Sequence, residues 1–313
     1  MSVMLEVDHR VSYSMSMGPA ERLGAPANLE CCALSSLTPP STRTAAAETS
    51  STAPILTPSQ SRPWRPAVLT RRLEEFAHLT DADRAELTRL CTQATHTIPA
   101  RRDLISEGDT PRSLFLILQG WACHYRTLHD GRRQIVDFAV PGDLCDLNLF
   151  VLDRMDHGIG AITQLRVAEI GREVFHRVVT TYPNITTALW WQELVSKSIH
   201  REWIVNVGQR SAKERIAHLI CEMFLRLESV GLTHGFSCDF PPTQTDIADA
   251  TGLTAVHVNR TIQGLRRSGL ITLERQKLSI PDVGELQRVG RFNPDYLHHG
   301  RLNRHTDRAR ATE

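Results

Sequence analysis

The distribution of apolar and polar residues divides the chain into a region of short strands and a later region of helices. From Ala94 to Val140, short apolar runs alternate with turns rich in Gly, Pro and Asp, and His129-Asp-Gly131 is a typical hairpin turn. Several strands at even spacing predict a small antiparallel barrel or jelly roll. A helical pattern precedes them between Leu69 and Gln93, with Thr80 as the expected N-cap.

A longer helix is predicted from Thr186 to Val207, because large apolar residues recur there at three- and four-residue steps. The stripe could pack on the protein's own β domain or against a second copy of the helix, and we expect the dimer. Gly208 to Ser211 is the expected hinge, and an amphipathic helix follows from Ala212 to Leu227. The residues assigned to the dimer face are Trp191, Val195, Ile199 and Trp203.

Two short helices joined by a tight turn are predicted between Pro242 and Ile271. Gly252 supplies a left-handed turn residue, and the hydroxyl of Thr254 is expected to cap the second helix. One stripe of the second helix is apolar and should face the core, namely Val258, Ile262 and Leu265. This combination is typical of a helix-turn-helix.

The opposite face of the second helix is polar and basic, which suits the major groove of DNA. We expect Arg260 to pair with a guanine, and Val256 or Ala255 to contact a thymine methyl group. Thr243 and Gln244, at the start of the preceding helix, are better placed for phosphates. The candidate DNA-binding residues are Thr243, Gln244, Thr254, Ala255, Val256, His257, Arg260, Gln263, Arg267 and Lys277.

The alternating segment from Leu270 to Pro281 predicts a hairpin whose charged tip lies at Glu274 to Lys277. A hairpin directly after the second helix is the winged version of the motif. Arg275 and Lys277 would then approach the sugar-phosphate backbone, although an ordinary solvated turn stays open as an alternative.

Composition narrows the classes of function. The chain has 313 residues, enough for two domains, and its 36 Lys and Arg against 35 Asp and Glu give a net charge of +1. DNA binding must therefore rest on a local basic face. No apolar run has the length of a membrane span, and the seven scattered cysteines suit a reducing compartment, so we expect a cytoplasmic protein without a membrane partner. No nucleophile–base pair or phosphate-cradling glycine loop suggests an enzyme.

The order of these elements resembles the Crp/Fnr family of bacterial transcription regulators. The resemblance covers about residues 68–300 and is carried by the helix-turn-helix together with Glu107-Gly-Asp109, Gly120, Asp130-Gly131 and Pro141-Gly-Asp143. It implies a homodimer that binds a two-fold symmetric operator and contacts RNA polymerase. It also implies control through the β domain by a signal that the sequence does not identify.

The expected fold class is α+β: a cyclic-nucleotide-binding-like β-roll (a jelly roll), a long dimerisation helix and a C-terminal winged helix-turn-helix. The expected segments are residues 1–64 as a disordered extension rich in Ser, Thr, Ala and Pro, 65–185 as the β-roll, 186–210 as the dimerisation helix and hinge, 211–285 as the DNA-binding domain, and 286–313 as a C-terminal tail.

Cyclic-nucleotide binders of this family carry Gly-Glu-Leu for the ribose, followed further on by Arg-Ser/Thr-Ala for the phosphate. This chain has Gly142-Asp-Leu144 and then Met155-Asp-His-Gly158. The second segment sets a carboxylate where a phosphate would lie, which argues against cyclic AMP. An unknown small-molecule effector remains possible, with the candidate pocket residues Gly142, Asp143, Leu144, Arg154 and Asp156.

Iron–sulfur members of the family use closely spaced N-terminal cysteines and one more in the barrel. Here the cysteines at Cys31-Cys32, Cys91, Cys123 and Cys145 do not give a comparable thiolate set, which argues against a cluster. Cys145 is either a redox thiol or an inert buried one, and we expect the latter. The leading hypothesis is thus a DNA-binding regulator, and the alternative is a small-molecule or redox sensor whose β-roll performs the main activity.

Overall fold

The computed structural model of the protein describes residues 67–147 and 149–299, without the side chain of Leu149. The predicted extension over residues 1–64 and its Cys31-Cys32 pair lie outside the described residues. All element bounds below refer to the described part.

Two helices, α1 (Val68–Glu74) and α2 (Asp81–Thr92), lead into the β-roll. The predicted N-cap of α2 is confirmed: Thr80 accepts a hydrogen bond from the Asp83 amide, and the Asp83 carboxylate accepts one from the Thr80 amide. The strands that follow are β1 (Thr95–Ile98), β2 (Asp103–Ile105), β3 (Ser113–Gln119), β4 (Ala122–Thr127), β5 (Arg133–Ala139), β6 (Leu144–Cys145), β7 (Gly158–Ala161) and β8 (Leu165–Gly171).

The eight strands form two antiparallel sheets of four strands, in the orders β1-β8-β3-β6 and β2-β7-β4-β5. Gly120 makes the turn between β3 and β4 with a φ of +86°, and a Cβ atom there would lie 2.3 Å from the Gln164 carbonyl oxygen. Only glycine fits that backbone. The predicted hairpin of β4 and β5 is confirmed, and the expected β-roll is the observed fold.

Helices α3 (Arg172–Thr181) and α4 (Pro183–Gln209) connect the β-roll to the C-terminal half, which begins with α5 (Ala212–Ser229). Helix α4 begins with Pro183 in its first turn, a position where a missing N–H does no harm. The hinge is shorter than predicted, because Gly208 is still helical and Ser211 already caps α5 in a reciprocal capping box with Glu214. Only Arg210 and Ser211 separate the two helices.

The C-terminal half is a winged helix-turn-helix. Its elements are β9 (Thr233–His234), β10 (Ser237–Asp239), α6 (Gln244–Thr251), α7 (Ala255–Arg267), β11 (Thr272–Glu274), β12 (Lys277–Ser279) and α8 (Val283–Gly290), followed by a single 3-10 turn at Pro294–Leu297. The small sheet has the order β11-β12-β10-β9. Helix α8 and the 3-10 turn extend past residue 285 into the segment predicted to be a C-terminal tail.

The two halves share one continuous core. The Trp121 ring of the β-roll meets Phe138 on one side and Phe240 of the C-terminal half on the other, at centroid distances of 6.0 and 5.7 Å. Phe138 in turn meets Trp203 of α4 at 5.9 Å. These edge-to-face contacts bury large apolar surfaces across the boundary, so the orientation of the halves is fixed by packing as well as by the short hinge.

The apolar stripe of α4 that was predicted to form the dimer interface is instead buried within this chain. Val195, Ile199 and Trp203, predicted to face a second copy, are buried within this chain, and the half-buried Trp191 lies against the His298 ring. The reason is that α4 carries two apolar faces, and this one covers the protein's own β-roll and α5. The apolar side chains that α4 leaves exposed are Trp190, Leu194, Ile204 and Val205.

None of the helices in the described part of the chain is both long enough and apolar enough to cross a membrane.

Candidate DNA-binding surface and effector cavity

Capping interactions set the geometry of α6 and α7. Thr243 caps α6 by accepting from the Asp246 amide at 3.2 Å, and the Asp246 carboxylate accepts from the Thr243 amide at 2.8 Å. Gly252 ends α6 in the left-handed conformation, with φ +66° and ψ +33°. Thr254 then caps α7 by accepting from the His257 amide. The predicted turn and cap of the helix-turn-helix are therefore observed.

The two faces of α7 are separated as predicted. Val258, Ile262 and Leu265 are at most 5% exposed and pack into the C-terminal core. The outward residues Val256, His257, Arg260, Gln263 and Arg267 are all exposed, and Val256 is 72% exposed. A methyl-bearing side chain held in water by a rigid helix has no packing role in the chain, so its position agrees with the contact to a base methyl group that the sequence suggested.

The wing stands beside α7 and carries further cations. Arg275 and Gln276 form its tip with φ values of +48° and +64°, a left-handed pair that matches the twist of a two-residue hairpin. Lys277 is exposed and pairs with Asp239 at 2.6 Å. Arg266 of α7 reaches Glu274 at 3.2 Å and so ties the helix to the wing.

A cavity of about 410 Å³ lies between the β-roll and α4. Of the predicted pocket residues, Asp143, Leu144 and Asp156 line it. Gly142 and Arg154 lie outside the lining, and the Arg154 guanidinium is directed to the Gly108 carbonyl at 3.4 Å. The placement of Arg154 in the pocket was therefore wrong, because its side chain follows the loop in the opposite direction.

The carboxylate of Asp143 is already fully engaged. Arg72 of α1 binds one oxygen at 3.0 Å, and Arg226 of α5 and the Val140 amide bind the other, each at 2.9 Å. Burial opposes its ionisation, but the two guanidinium groups outweigh burial and lower the pKa of Asp143. The carboxylate that would have to bind a ribose hydroxyl is thus bonded to groups of the protein itself.

Other charged groups of the lining also have partners within the protein. Arg126 binds Glu107 at 3.1 Å, so each of the three arginines in the lining has a carboxylate partner. Asp156 contacts His157 at 2.7 Å, and His157 contacts His124 at 3.0 Å, which makes a chain of three titratable groups along the wall. Burial lowers the pKa of His124 to about 4, so this ring is uncharged near neutral pH.

The lining presents mainly carboxylates and paired guanidinium groups to a ligand such as a cyclic nucleotide. Its phosphate needs an uncommitted cation, and every guanidinium group in the lining is paired, while the carboxylates of Asp143, Asp146 and Asp156 face the same space. A ribose hydroxyl would have to share the Asp143 carboxylate, because each of its oxygens already has a partner within the protein.

Three of the cysteines considered as cluster ligands lie in the described part of the chain. Cys91, Cys123 and Cys145 are buried and unbonded to each other. Burial raises the pKa of the Cys145 thiol, which leaves little of the reactive thiolate. No group of three or more His, Cys, Asp or Glu side chains in the described part is arranged to hold a metal ion.

Sequence reasoning missed the residues that complete the cavity: Arg72, His124, His157 and Arg226. Arg226 offered a signal, since it lies on the buried side of the amphipathic helix α5, four residues after Glu222. Two charged residues on an apolar face predict a buried ion pair. The partners of that pair come from the β-roll and could not be read from α5 alone.

A β-roll joined to a winged helix-turn-helix with an exposed basic helix defines a DNA-binding regulator. Comparison with known proteins agrees: residues 95–182 match the cyclic nucleotide-binding domain, and residues 214–289 match the Crp-like helix-turn-helix domain. The nitrogen fixation regulation protein FixK of Bradyrhizobium diazoefficiens is 32% identical over 187 residues, which cover 59% of this chain and 76% of that protein.

Two further comparisons agree. The transcriptional activatory protein AadR of Rhodopseudomonas palustris is 30% identical over 206 residues, covering 65% of this chain and 83% of the relative. The structure of FixK2 from Bradyrhizobium japonicum superposes with a TM-score of 0.57 at 21% identity, over 63% of this chain and 96% of that one, and shows the same fold. The chain belongs to the Crp/Fnr family and is a DNA-binding transcription regulator. Nothing in the comparisons supports the alternative of a sensor module whose main activity is ligand binding.

Proposed function

We propose that the protein binds a two-fold symmetric DNA operator as a homodimer, with α7 of each copy in a major groove. The observation that carries this proposal is the division of α7 into a buried apolar face and a fully exposed face with cationic, amide and methyl-bearing groups. Such a face offers the donors and apolar contacts that discriminate base pairs in the major groove. Its rigidity comes from the caps at Thr243 and Thr254.

In this proposal the residues divide into base-reading and phosphate-binding groups. Arg260 pairs with a guanine, Val256 or the half-buried Ala255 contacts a thymine methyl group, and Gln263 and His257 reach neighbouring edges or phosphates. Residues that orient the domain on the backbone are Thr243, Gln244, Thr254, Arg267 and Lys277. The hydroxyls of Thr243 and Thr254 act mainly as helix caps. A phosphate would therefore contact the backbone amides at the N-termini of α6 and α7.

The dimer would form along the outer face of α4. Exposed residues recur there at alternating steps of three and four, the spacing of a coiled-coil seam: Thr187, Trp190, Leu194, Lys197, Arg201 and Ile204. Trp190 and Ile204 are 72% and 73% exposed, although both are large and apolar. A second copy of α4 would cover them and place two recognition helices on one DNA site.

The relatives named as activators support a further contact with RNA polymerase. We propose no catalytic activity, since the family comprises transcription regulators. A regulator of this kind acts where the chromosome lies, which is the basis for expecting it in the cytoplasm. The cavity between the β-roll and α4 could admit an unidentified small effector, but we propose neither cyclic AMP nor an iron–sulfur cluster.

The DNA-binding proposal is tested by selecting operators from a random duplex library with the purified full-length protein. We expect enrichment of an inverted repeat whose half-sites lie about one helical turn apart, roughly 10 bp centre to centre. Fluorescence anisotropy then compares the enriched site with a scrambled one. Recovery of no shared sequence, or equal affinity for both duplexes, would contradict sequence-specific binding.

The effector proposal is tested separately with cyclic AMP as the probe. Titration calorimetry and thermal unfolding should show no saturable binding and no shift in Tm, because each arginine in the lining already has a carboxylate partner. A saturable heat, or a rise in Tm that increases with ligand concentration, would contradict our interpretation of Asp143 and Asp156.

A further inference from the structure

Arg226 lies in the DNA-binding half of the chain, but its side chain binds residues of the β-roll. It lies on α5, inside the part that matches the helix-turn-helix domain. Its guanidinium nevertheless binds the β-roll at three points: the Asp137 carboxylate at 3.0 Å, the Phe138 carbonyl at 2.7 Å and the Asp143 carboxylate at 2.9 Å. The Arg226 side chain is 6% exposed, so these bonds are shielded from water.

The β-roll partners of Arg226 are part of the effector cavity. Asp137 lies on β5, Asp143 follows it in the turn before β6, and both line the cavity wall together with Arg226 itself. Arg72 of α1 holds the second oxygen of Asp143. The DNA-binding half thus reaches into the cavity and supplies the positive charge that the wall carboxylates require.

The same cluster continues into α4 and the C-terminal end. Arg226 also meets Glu222, one turn earlier on α5, at 3.4 Å. Glu222 accepts from the indole nitrogen of Trp203 on α4 at 3.1 Å and from the Tyr296 hydroxyl at 2.7 Å. The β-roll, the long helix and the DNA-binding half therefore meet in one buried polar network.

Charged groups in such a network do not tolerate gradual displacement. A buried ion pair with one partner missing leaves an uncompensated charge, so the groups are either fully engaged or rearranged to a different set of partners. A displacement of Asp137 or Asp143 would therefore alter the contacts of α5, on which α6 and α7 pack. Arg226 is the side chain of α5 that binds both carboxylates.

We infer that Arg226 is the positioning residue that couples the effector cavity to the DNA-binding half, by engaging the cavity carboxylates Asp137 and Asp143 from inside the protein. An occupant of the cavity changes DNA binding by altering these two contacts. The inference rests on the proposed function in so far as DNA binding is the output of the coupling.

The test measures the geometry of the two halves without DNA. Spin labels are attached at Asp130→Cys in the β4–β5 turn and at Ser268→Cys after α7, both exposed positions, in full-length protein carrying Cys31→Ser and Cys32→Ser. The described native cysteines are buried and should not react. Pulsed electron paramagnetic resonance then measures the distance distribution between the two labels. It is applied to the labelled protein with an otherwise native sequence and to its Arg226→Met, Arg226→Lys and Asp137→Asn variants.

A control is Arg177→Met, which removes an arginine of α3 from the carboxylate of Glu86 on α2, a pair that does not involve α5. We expect Arg226→Met to broaden or shift the distance distribution and to weaken DNA binding roughly tenfold, within the usual range of coupling between sites. Arg226→Lys should restore part of both effects, because it keeps the charge but not the planar fork. Arg177→Met should leave both unchanged.

An Arg226→Met protein with the wild-type distance distribution would overturn the inference. If Arg226→Met does not fold, Asp137→Asn provides the test, because it preserves the shape of the side chain and leaves the Asp143 contact in place. An unchanged distance distribution in Asp137→Asn would equally overturn the inference. Failure of the proposed function gives a different result, because a protein that binds no DNA would still show the altered distance in Arg226→Met.

Discussion

The guanidinium of Arg101 in the β-roll binds both carboxylate oxygens of Asp246 in α6, at 2.7 and 2.9 Å. Asp246 is 2% exposed and also accepts from the amide and hydroxyl of Thr243, so one carboxylate serves the capping box of the helix-turn-helix and an ion pair to the other half. Arg101 lies in the loop between β1 and β2 and has a positive φ of 63°. The first helix of the DNA-binding motif is therefore anchored to the β-roll.

We predict that Arg101→Ala lowers the free energy of unfolding by about 1–3 kcal/mol, since it leaves a buried carboxylate with fewer partners. Urea denaturation measures this change. Arg132→Ala is the matched control, because the Arg132–Asp130 pair is exposed on both sides and should contribute less than about 1 kcal/mol. Equal effects of the two substitutions would contradict the anchoring role of Arg101.

Gly252→Ala should destabilise the helix-turn-helix by about 1–2 kcal/mol, because an L-residue with a Cβ is strained in the left-handed region. The space itself is not the obstacle: a Cβ atom would come no closer than 3.4 Å to Val207. Gly264→Ala on α7 is the control, since it has helical φ and open space around it, and alanine should stabilise a helix there. Thermal unfolding of both variants checks the prediction, and a stable Gly252→Ala protein would show that the turn relaxes.

Arg260→Ala should weaken binding to the selected operator by about 1–3 kcal/mol and relax the preference at one position of each half-site. The physical reason is the loss of a bidentate pair with guanine. Lys277→Ala serves as the comparison, because a phosphate contact should change all DNA sequences alike and reduce the salt dependence of binding. If Arg260→Ala lowers affinity equally on every sequence, Arg260 contacts the backbone.

The stability of the protein should fall in acid through the Asp143 network. Arg72 and Arg226 outweigh the effect of burial and hold the folded pKa of Asp143 below its ordinary value of 3.8. The ionised carboxylate thus contributes stability that is complete above that value and is lost as pH falls through the folded pKa.

Urea denaturation at several pH values between roughly 3 and 6 measures this dependence. In Asp143→Asn the free energy of unfolding should be lower near pH 6 and should decline less on acidification. A variant whose decline parallels that of the wild type would assign the acid sensitivity to other carboxylates.

Local rules explain why the candidate DNA-binding surface could be predicted from the sequence. The cap at Thr254, the turn at Gly252 and the buried stripe of α7 each depend on residues within a few positions, and all three are observed. The stripe on α4 was misassigned because helical periodicity identifies an apolar face but not what covers it. Arg226 was missed for the same reason: its partners on β5 and in the following turn are distant in sequence, and only the fold brings them together.

The outer face of α4 should form the dimer interface, and Ile204→Glu should disrupt it. A carboxylate at a helix–helix seam must give up its hydration, a penalty of several kcal/mol per buried charge, and its bulk and charge replace an apolar contact. Sedimentation velocity should then show monomers at concentrations where the wild type is dimeric, and affinity for the full inverted repeat should fall towards that for a half-site. Leu128→Glu is the control, because Leu128 is also an exposed apolar residue, 53% accessible, but lies in the β4–β5 turn. A dimeric Ile204→Glu protein would place the interface on another surface.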